Sequence, residues 1–269
     1  MPDQYPFAAI ELPSGRSTTK PRKTGLTMMA DWGLPLHHQE DILELGGDYV
    51  DFAKIVTGTA RLYPPDQLAA KLDLYRRHAV RPFIGGQFAE YVLANHGRKA
   101  LGRFFTEATR LGFATIEISD NCLPIDDQER ASLVREATDA GLAVMGEVGS
   151  KDEKTDVARL IAQAHVCFEA GAELVLIEAA ELVEDGAIAT SMLRRITAEL
   201  DMRRVMIELP GPWISGTTLS MVEDLKKLLI LELGPEVNLA NVKPEELLAT
   251  EALRCGLGVV GPKERTPCE

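Results

Sequence analysis

Cysteine is scarce in this sequence, and the spacing of the cysteines argues against both a disulfide-stabilised protein and a zinc-binding protein. The 269 residues include four cysteines, at positions 122, 167, 255 and 268, with no C-x-x-C pair among them. Such spacing supplies neither a disulfide framework nor a typical zinc site. No N-terminal apolar run resembles a signal peptide or a membrane span. We therefore expect a cytoplasmic protein that does not associate with membranes.

Positive charge is also in short supply. Lysine and arginine total 29 against 41 acidic residues, and the formal net charge is −12 at pH 7. A protein that binds the phosphate backbone of nucleic acids needs a clustered basic face. We therefore expect no nucleic-acid partner.

Two common catalytic motifs are missing as well. The sequence has no G-x-S-x-G, and no cysteine stands at a predicted strand end beside a histidine, so nothing indicates nucleophilic catalysis. No G-x-G-x-x-G follows the first predicted strand, as it would in a dinucleotide-binding sheet.

What is present is the composition of a globular domain, with 45% hydrophobic and 26% charged residues. Such a composition can bury a large core. Prolines and a Ser-Gly-Thr-rich stretch make residues 1–23 an irregular arm. We predict one domain over residues 24–260 and a flexible tail over 261–269. Domains of alternating strands and helices reach this length when they close into a barrel.

From residue 25 onward, short apolar strands alternate with helical stretches of 3.6-residue periodicity. Helices are predicted over 65–79, 126–140, 156–170 and 219–232, among others. The predicted strands span 26–30, 50–55, 81–84, 114–118, 142–147, 174–177, 203–207 and 237–240.

The residues that end these strands recur about every 30 positions, which is the length of one strand-plus-helix unit. They are Asp31, Lys54, Gly85, Glu117, Glu147, Glu178, Glu208 and Asn238. Eight near-equal units with no oversized crossover favour a closed (β/α)₈ TIM barrel over an open doubly wound sheet.

Three consecutive strands end on a glutamate: Glu147, Glu178 and Glu208. In a barrel of this kind the strand ends converge on one mouth, where active sites are built. Three close carboxylates need a compensating cation, and Mg²⁺ is the commonest ion held by such a set. The alternative, in which each glutamate pairs with a lysine or arginine or caps a helix, stays open.

Lys54 ends the second strand among apolar neighbours, where it could supply a proton or stabilise an enolate. A structural salt bridge to one of the carboxylates is the alternative reading. Asp31 after strand one and Asp120 after strand four are further catalytic candidates, although Asp120-Asn121 also fits a turn. Anionic groups of a substrate are expected to bind residues in the arm, after strand five, before the seventh helix and at the last strand end. These substrate-binding candidates are Lys20, Arg22, Lys151, Ser215, Thr217 and Asn238.

A series of segments, in order along the chain, resembles the phosphosulfolactate synthase family. They are residues 20–22, 25–28 with Asp31, 47–54, 116–120, 147–149, 169–172 with 177–178, and 237–241, which include Asp48-Tyr49-Val50-Asp51-Phe52-Ala53-Lys54 and Ile116-Glu117-Ile118-Ser119-Asp120. The resemblance implies a (β/α)₈ lyase that adds sulfite to phosphoenolpyruvate with Mg²⁺, giving phosphosulfolactate on the route to coenzyme M. It also implies a small anionic substrate, and we expect a homo-oligomer.

The sequence departs from the family pattern where anions should be held. Trp32 replaces a lysine, Ala179-Ala180 replace glycine and arginine, and residues 212–216 replace a Lys-Ser-Gln run. Where the family has an arginine-rich C-terminal stretch, this sequence has Arg254-Cys255-Gly256-Leu257-Gly258-Val259. Two other functions therefore stay open: a lyase acting through a metal-bound enolate of a less anionic acid, and a non-catalytic binding or stress-related barrel.

Overall fold

The computed structural model describes residues 19–149, 156–184 and 187–258, and a few positions before residue 19. Eight parallel strands close into a barrel, and each pairs with the strands before and after it in the chain. The single-domain (β/α)₈ barrel expected from the 30-residue repeat is confirmed. The strands are β1 Thr27–Asp31, β2 Phe52–Ile55, β3 Arg81–Ile84, β4 Thr115–Ile118, β5 Ala143–Val148, β6 Leu174–Glu178, β7 Val205–Glu208 and β8 Leu239–Val242.

Helices surround the barrel, and some of them begin at a side-chain cap. The side chain of Asp126 accepts from the backbone N–H of Glu129, and Thr218 accepts from Met221 in the same way, which satisfies a donor at each helix start. The helices are α1 Leu36–Gly46, α2 Pro65–Arg77, α3 Gly86–His96, α4 Arg98–Leu111, α5 Asp127–Asp139, α6 Val157–Ala170, α7 Thr190–Glu199, α8 Leu219–Leu233 and α9 Leu247–Arg254.

Two features depart from the simplest eightfold repeat. Both α3 and α4 lie between β3 and β4, and a short antiparallel pair, Val183–Glu184 with Ala187–Ile188, follows β6. No helix among the described residues is long and apolar enough to cross a membrane.

The barrel interior has an apolar layer beneath a charged one. Alternate residues of a strand point to the same side, so each residue two positions after an interior apolar residue also faces inward. Met145, Leu176 and Met206 belong to the apolar interior cluster. Two positions further along β5, β6 and β7 stand Glu147, Glu178 and Glu208, all buried. By the same alternation, Lys54 lies above Phe52 on β2.

Candidate active site

The three glutamates that end β5, β6 and β7 come together at the mouth of the barrel. One carboxylate oxygen from each of Glu147, Glu178 and Glu208 lies within 4.8 Å of the other two. Glu178 and Glu208 are direct partners across the β6–β7 pairing. All three side chains are buried, so their mutual repulsion is weakly screened by water.

Lys54 lies beside this cluster. Its Nζ is 2.7 Å from Oε1 of Glu208 and 2.7 Å from Oε2 of Glu117. Burial alone would lower the pKa of Lys54, but the negative charges of Glu117, Glu208 and Glu147 outweigh it and raise the pKa well above its ordinary value. Lys54 is therefore held as an ammonium ion.

Glu117 on β4 is the member of this layer to which sequence reasoning assigned no role. It ends its strand as the other glutamates do, and its place in the 30-residue repeat was the available signal. Burial raises the pKa of Glu117 to about 8; Lys54 opposes this shift, while Glu147 and Glu208 add to it. The other oxygen of Glu117, Oε1, accepts from the backbone N–H of Gly86 at 2.8 Å.

Gly86 can donate its backbone N–H to Glu117 because it has no side chain. A Cβ there would lie 2.2 Å from the hydroxyl of Ser119 and 3.1 Å from Oε1 of Glu117. The start of α3 can thus approach the strand-four carboxylate only with glycine at this position.

The loop after β4 supports Glu147. The amide of Asn121 donates to Oε2 of Glu147 at 2.9 Å, and Arg130 donates to the backbone oxygen of Glu147 at 2.9 Å. Asp120, a predicted catalytic residue, forms an ion pair with the buried Arg130. Burial raises the pKa of Asp120 although Arg130 lowers it. Asp120 is thus linked to the cluster through Arg130.

Asp31, the second predicted catalytic aspartate, lies outside the carboxylate cluster. Met28 faces the interior, so Ala30 does too and Asp31 points outward towards α2. There its Oδ2 contacts Lys71 Nζ at 2.7 Å and the Tyr75 hydroxyl at 2.5 Å. Its Oδ1 accepts from the backbone N–H groups of residues 33 and 34, at 2.9 and 2.8 Å. Asp31 therefore fixes the loop that carries Trp32.

Three of the predicted substrate-binding residues lie at the opposite, N-terminal end of the barrel. Arg22 pairs with Asp51, just before β2. Lys20 donates to backbone oxygens before β2 and β3. The amide of Asn238 bonds to backbone groups at the starts of β1 and β7.

Placing these residues at the mouth was wrong. The last strand begins at Leu239 instead of Val237, so Asn238 precedes it. The part of the arm from Lys20 to Arg22 folds under the barrel.

The remaining anion-binding candidates lie elsewhere. Ser215 and Thr217 are in the loop between β7 and α8, where Ser215 is exposed and Thr217 partly buried. Lys151 lies outside the described residues, as do the tail and most of the arm.

An opening leads from solvent to Lys54, Glu117 and Glu208, and together with the solvent space at its entrance it measures about 450 Å³. Trp32 and Trp213 flank it, with their ring centroids 5.2 Å apart. Among the described residues that line it, Lys54 carries the only positive charge. The mouth therefore combines a dense negative layer with an aromatic rim.

The three clustered glutamates fit a divalent metal. They are hard oxygen donors, and the ligands of an octahedral Mg²⁺ at about 2.1 Å lie about 3 to 4 Å from one another. Donor atoms within 4.8 Å reach that spacing through small side-chain rotations. The acidic cluster could hold such an ion.

Comparison with known proteins gives the family. Residues 15–259 match the family described as "(2R)-phospho-3-sulfolactate synthase (ComA)". The chain belongs to this phosphosulfolactate synthase family. The family consists of lyases that form a carbon–sulfur bond, so the chain is an enzyme of this class.

Curated relatives of this chain are named phosphosulfolactate synthase. The one from Methanothermobacter thermautotrophicus is 36% identical over 88% of this chain and 91% of its own length. That from Methanocaldococcus jannaschii is 30% identical over 87% and 92%. Among solved structures, 3-hexulose-6-phosphate synthase from Salmonella typhimurium is similar, with a TM-score of 0.55, 15% identity, and coverage of 86% of this chain and 99% of that chain. At that identity the likeness concerns the fold alone.

Proposed function

We propose that the protein is a Mg²⁺-dependent lyase that adds sulfite to phosphoenolpyruvate and forms phosphosulfolactate. The observation that carries this proposal is the layer at the mouth, where Glu147, Glu178 and Glu208 converge beside Lys54. The relatives' name supports the choice of product. We also propose that the substrate is a small anion and that the enzyme works in the cytoplasm, in the route to coenzyme M.

Several residues at the mouth have a part in the proposed reaction. A bound Mg²⁺ would offset the carboxylate charge and stabilise the negative charge that develops on the oxygens of the acid. Lys54 Nζ delivers a proton to the carbon adjacent to the one that sulfur attacks. The raised pKa of Lys54 keeps its amine protonated until the reaction occurs. The carbanion that forms next to the carboxylate of the acid is basic enough to take this proton. Asn121 orients Glu147, and the two tryptophans limit access of water.

Product formation from phosphoenolpyruvate and sulfite tests this proposal. Phosphorus NMR with the purified protein should show a new phosphate ester that requires Mg²⁺ and disappears with EDTA. Glu178→Gln should abolish it. Glu173→Gln, at an ion pair with Arg81 on the surface, is the matched control and should retain turnover. Absence of product with either reactant in excess would refute the choice of substrates.

A second candidate is the same chemistry on an acid of lower charge. Its supporting observation is the shortage of cations: Lys54, the one cation lining the described part of the opening, is already paired with two carboxylates. A phosphate group prefers arginine or lysine partners. Loss of activity on removing phosphate from the acid would favour the first candidate, whereas faster turnover of the phosphate-free acid would favour the second.

A further inference from the structure

Glu90 on α3 is a buried carboxylate that lies outside the charged layer at the mouth. Its exposed fraction is 5%, and its two oxygens accept four hydrogen bonds from the loop that follows β4. Oε1 accepts from the hydroxyl of Ser119 and, at 3.2 Å, from the backbone N–H of Asn121. Oε2 accepts from the backbone N–H groups of Cys122 and Leu123, at 2.5 and 2.9 Å. One carboxylate thus contacts most residues in the first half of this loop.

The loop after β4 depends on such contacts for its position. Residues 119–126 form neither a strand nor a helix. Cys122 is exposed, and Asn121 and Leu123 are only half-buried. Little apolar burial therefore holds this segment, and loops with few buried apolar contacts open readily unless hydrogen bonds fix them. The bonds to buried side chains decide where its backbone lies.

Asn121 connects this loop to the glutamate cluster. Its side-chain amide donates to Oε2 of Glu147 at 2.9 Å, and the residue lines the opening to the site. Buried side chains hold the backbone on either side of it. Arg130 pairs with Asp120, and Glu90 accepts from the N–H groups of residues 121 and 122. The direction in which Asn121 presents its amide to Glu147 therefore depends on Glu90.

The start of α3 is shaped to fit the end of β4 and this loop. Gly86 and Glu90 are four positions apart, so they are neighbours on the helix surface. The N–H of Gly86 donates to Glu117. The Ser119 hydroxyl, which donates to Glu90, fills the space that a Cβ of Gly86 would need, since the two would be 2.2 Å apart. The first two turns of α3 thus contact both the strand-four carboxylate and the loop that carries Asn121.

We propose that Glu90 is a positioning residue for the reaction at the mouth: it holds the loop after β4 so that Asn121 fixes the carboxylate of Glu147. This inference rests on the proposed function, because Glu147 is one of the three glutamates proposed to bind Mg²⁺. Removing a group that orients a metal ligand typically lowers metal affinity or activity by about 10- to 100-fold. Glu90 acts one step further out, through the loop backbone, so its loss should have the same consequence as the loss of Asn121.

Nuclear magnetic resonance of the Asn121 side-chain amide tests the positioning without any metal. In the parent, exchange of these protons with solvent should be slowed by the bond to Glu147. In Glu90→Ala the exchange should be about tenfold faster or more, because the loop opens more often. The matched control is Glu251→Ala. Glu251 is 6% exposed and pairs with Arg16 at the N-terminal end of the barrel, so its loss should lower stability and leave this exchange rate unchanged.

Glu90→Gln keeps the volume of the side chain and guards against a Glu90→Ala variant that does not fold. Glutamine has one acceptor oxygen where glutamate has two. It can therefore satisfy the loop donors on one side only. The exchange of the Asn121 amide should be faster than in the parent and slower than in Glu90→Ala.

Isothermal titration calorimetry with MgCl₂ measures the consequence for the metal site. Glu90→Ala and Asn121→Ala should each weaken Mg²⁺ binding by about tenfold or more. The double variant should bind no more weakly than Asn121→Ala alone, because the effects of residues that act through one contact do not add. Glu251→Ala should bind Mg²⁺ as the parent does, which a merely structural role of Glu90 would also predict for Glu90→Ala.

The outcomes separate this inference from the proposed function. Equal exchange rates of the Asn121 amide in the parent and in both Glu90 variants would overturn the inference. Losses of Mg²⁺ affinity that add in the double variant would also overturn it, since Glu90 would then act by another route. A parent that binds no Mg²⁺ would refute the metal in the proposed function, and the amide exchange would still decide the role of Glu90.

Discussion

Lys54 Nζ lies 2.7 Å from a carboxylate oxygen of Glu208, a residue that also belongs to the three-glutamate cluster. The same ammonium contacts Glu117 at 2.7 Å. The candidate proton donor is thus in direct contact with one of the candidate metal ligands.

Glu178→Gln should remove stabilisation by Mg²⁺. A ligand at one hundred times its dissociation constant stabilises a protein by about 2.7 kcal/mol, so the parent should melt at a higher temperature with Mg²⁺. The variant should show no such rise. Without metal it should melt at the parental temperature or slightly above, because a like charge has been removed from a buried cluster. A full Mg²⁺-dependent rise in the variant would contradict the shared site.

Lys54→Met should lower turnover by about 10²- to 10⁴-fold, the usual contribution of a positioned acid or base. It should also destabilise the protein, since Glu117 and Glu208 lose their cation. Lys226→Met provides the control for that second effect. Lys226 is also buried and pairs with Glu223 and Glu246 on the outside of the barrel, so its loss should cost stability but not turnover. Near-parental activity of Lys54→Met would assign proton transfer to another group.

The stability of the metal-free protein should fall as pH rises from about 4.5 to about 8. The pKa of Glu117 is raised to about 8 in the fold, so over this interval the folded state binds the proton that the unfolded state has released. Stability then decreases with pH. Glu117→Gln should flatten the slope, as measured by urea unfolding at a series of pH values. An unchanged slope would show that Glu117 ionises normally.

Asp31→Asn should affect stability more than chemistry. Breaking a buried ion pair costs about 3 to 5 kcal/mol, and Asp31 is paired with Lys71. Asparagine can still accept from the N–H groups of Gly33 and Leu34, so the Trp32 loop should largely keep its position. We expect a turnover loss below about tenfold, with a similar stability loss in Lys71→Met. Complete loss of turnover at parental stability would instead identify Asp31 as a catalytic group.

Gly86→Ala should impair turnover through Glu117, whose carboxylate contacts the proposed proton donor Lys54 at 2.7 Å. The added Cβ would meet the Ser119 hydroxyl at 2.2 Å, so the start of α3 must move away from the Glu117 carboxylate. The pH dependence of turnover should shift together with its rate. Gly102→Ala, on α4 with nothing within 4 Å of the added carbon, should leave both unchanged. Parental kinetics in Gly86→Ala would show that this hydrogen bond has no part in catalysis.

The amino-acid sequence by itself determined the barrel and the glutamate cluster. The 30-residue repeat indicates that the sheet closes into a barrel. Because apolar strands end on a glutamate at equal intervals, the carboxylates are placed in one layer of that barrel. Each glutamate follows an interior residue by two positions, and the side-chain period of a strand is two. The same interval includes Glu117, which could have been assigned to the site on this ground.

Only the tertiary structure decided which other polar residues reach that layer. A shift of one residue along a strand turns a side chain from the interior of the barrel to its outside. The strands of a parallel barrel are covered on both faces, so the hydrophobicity of the sequence does not distinguish the inner face from the outer one. Asp31 therefore faces α2 while Ala30 faces the interior. A strand that starts two residues later leaves Asn238 at the N-terminal end. The pairing of Trp32 with Trp213, which come from loops 181 positions apart, arises because closure brings β1 and β7 to opposite sides of β8.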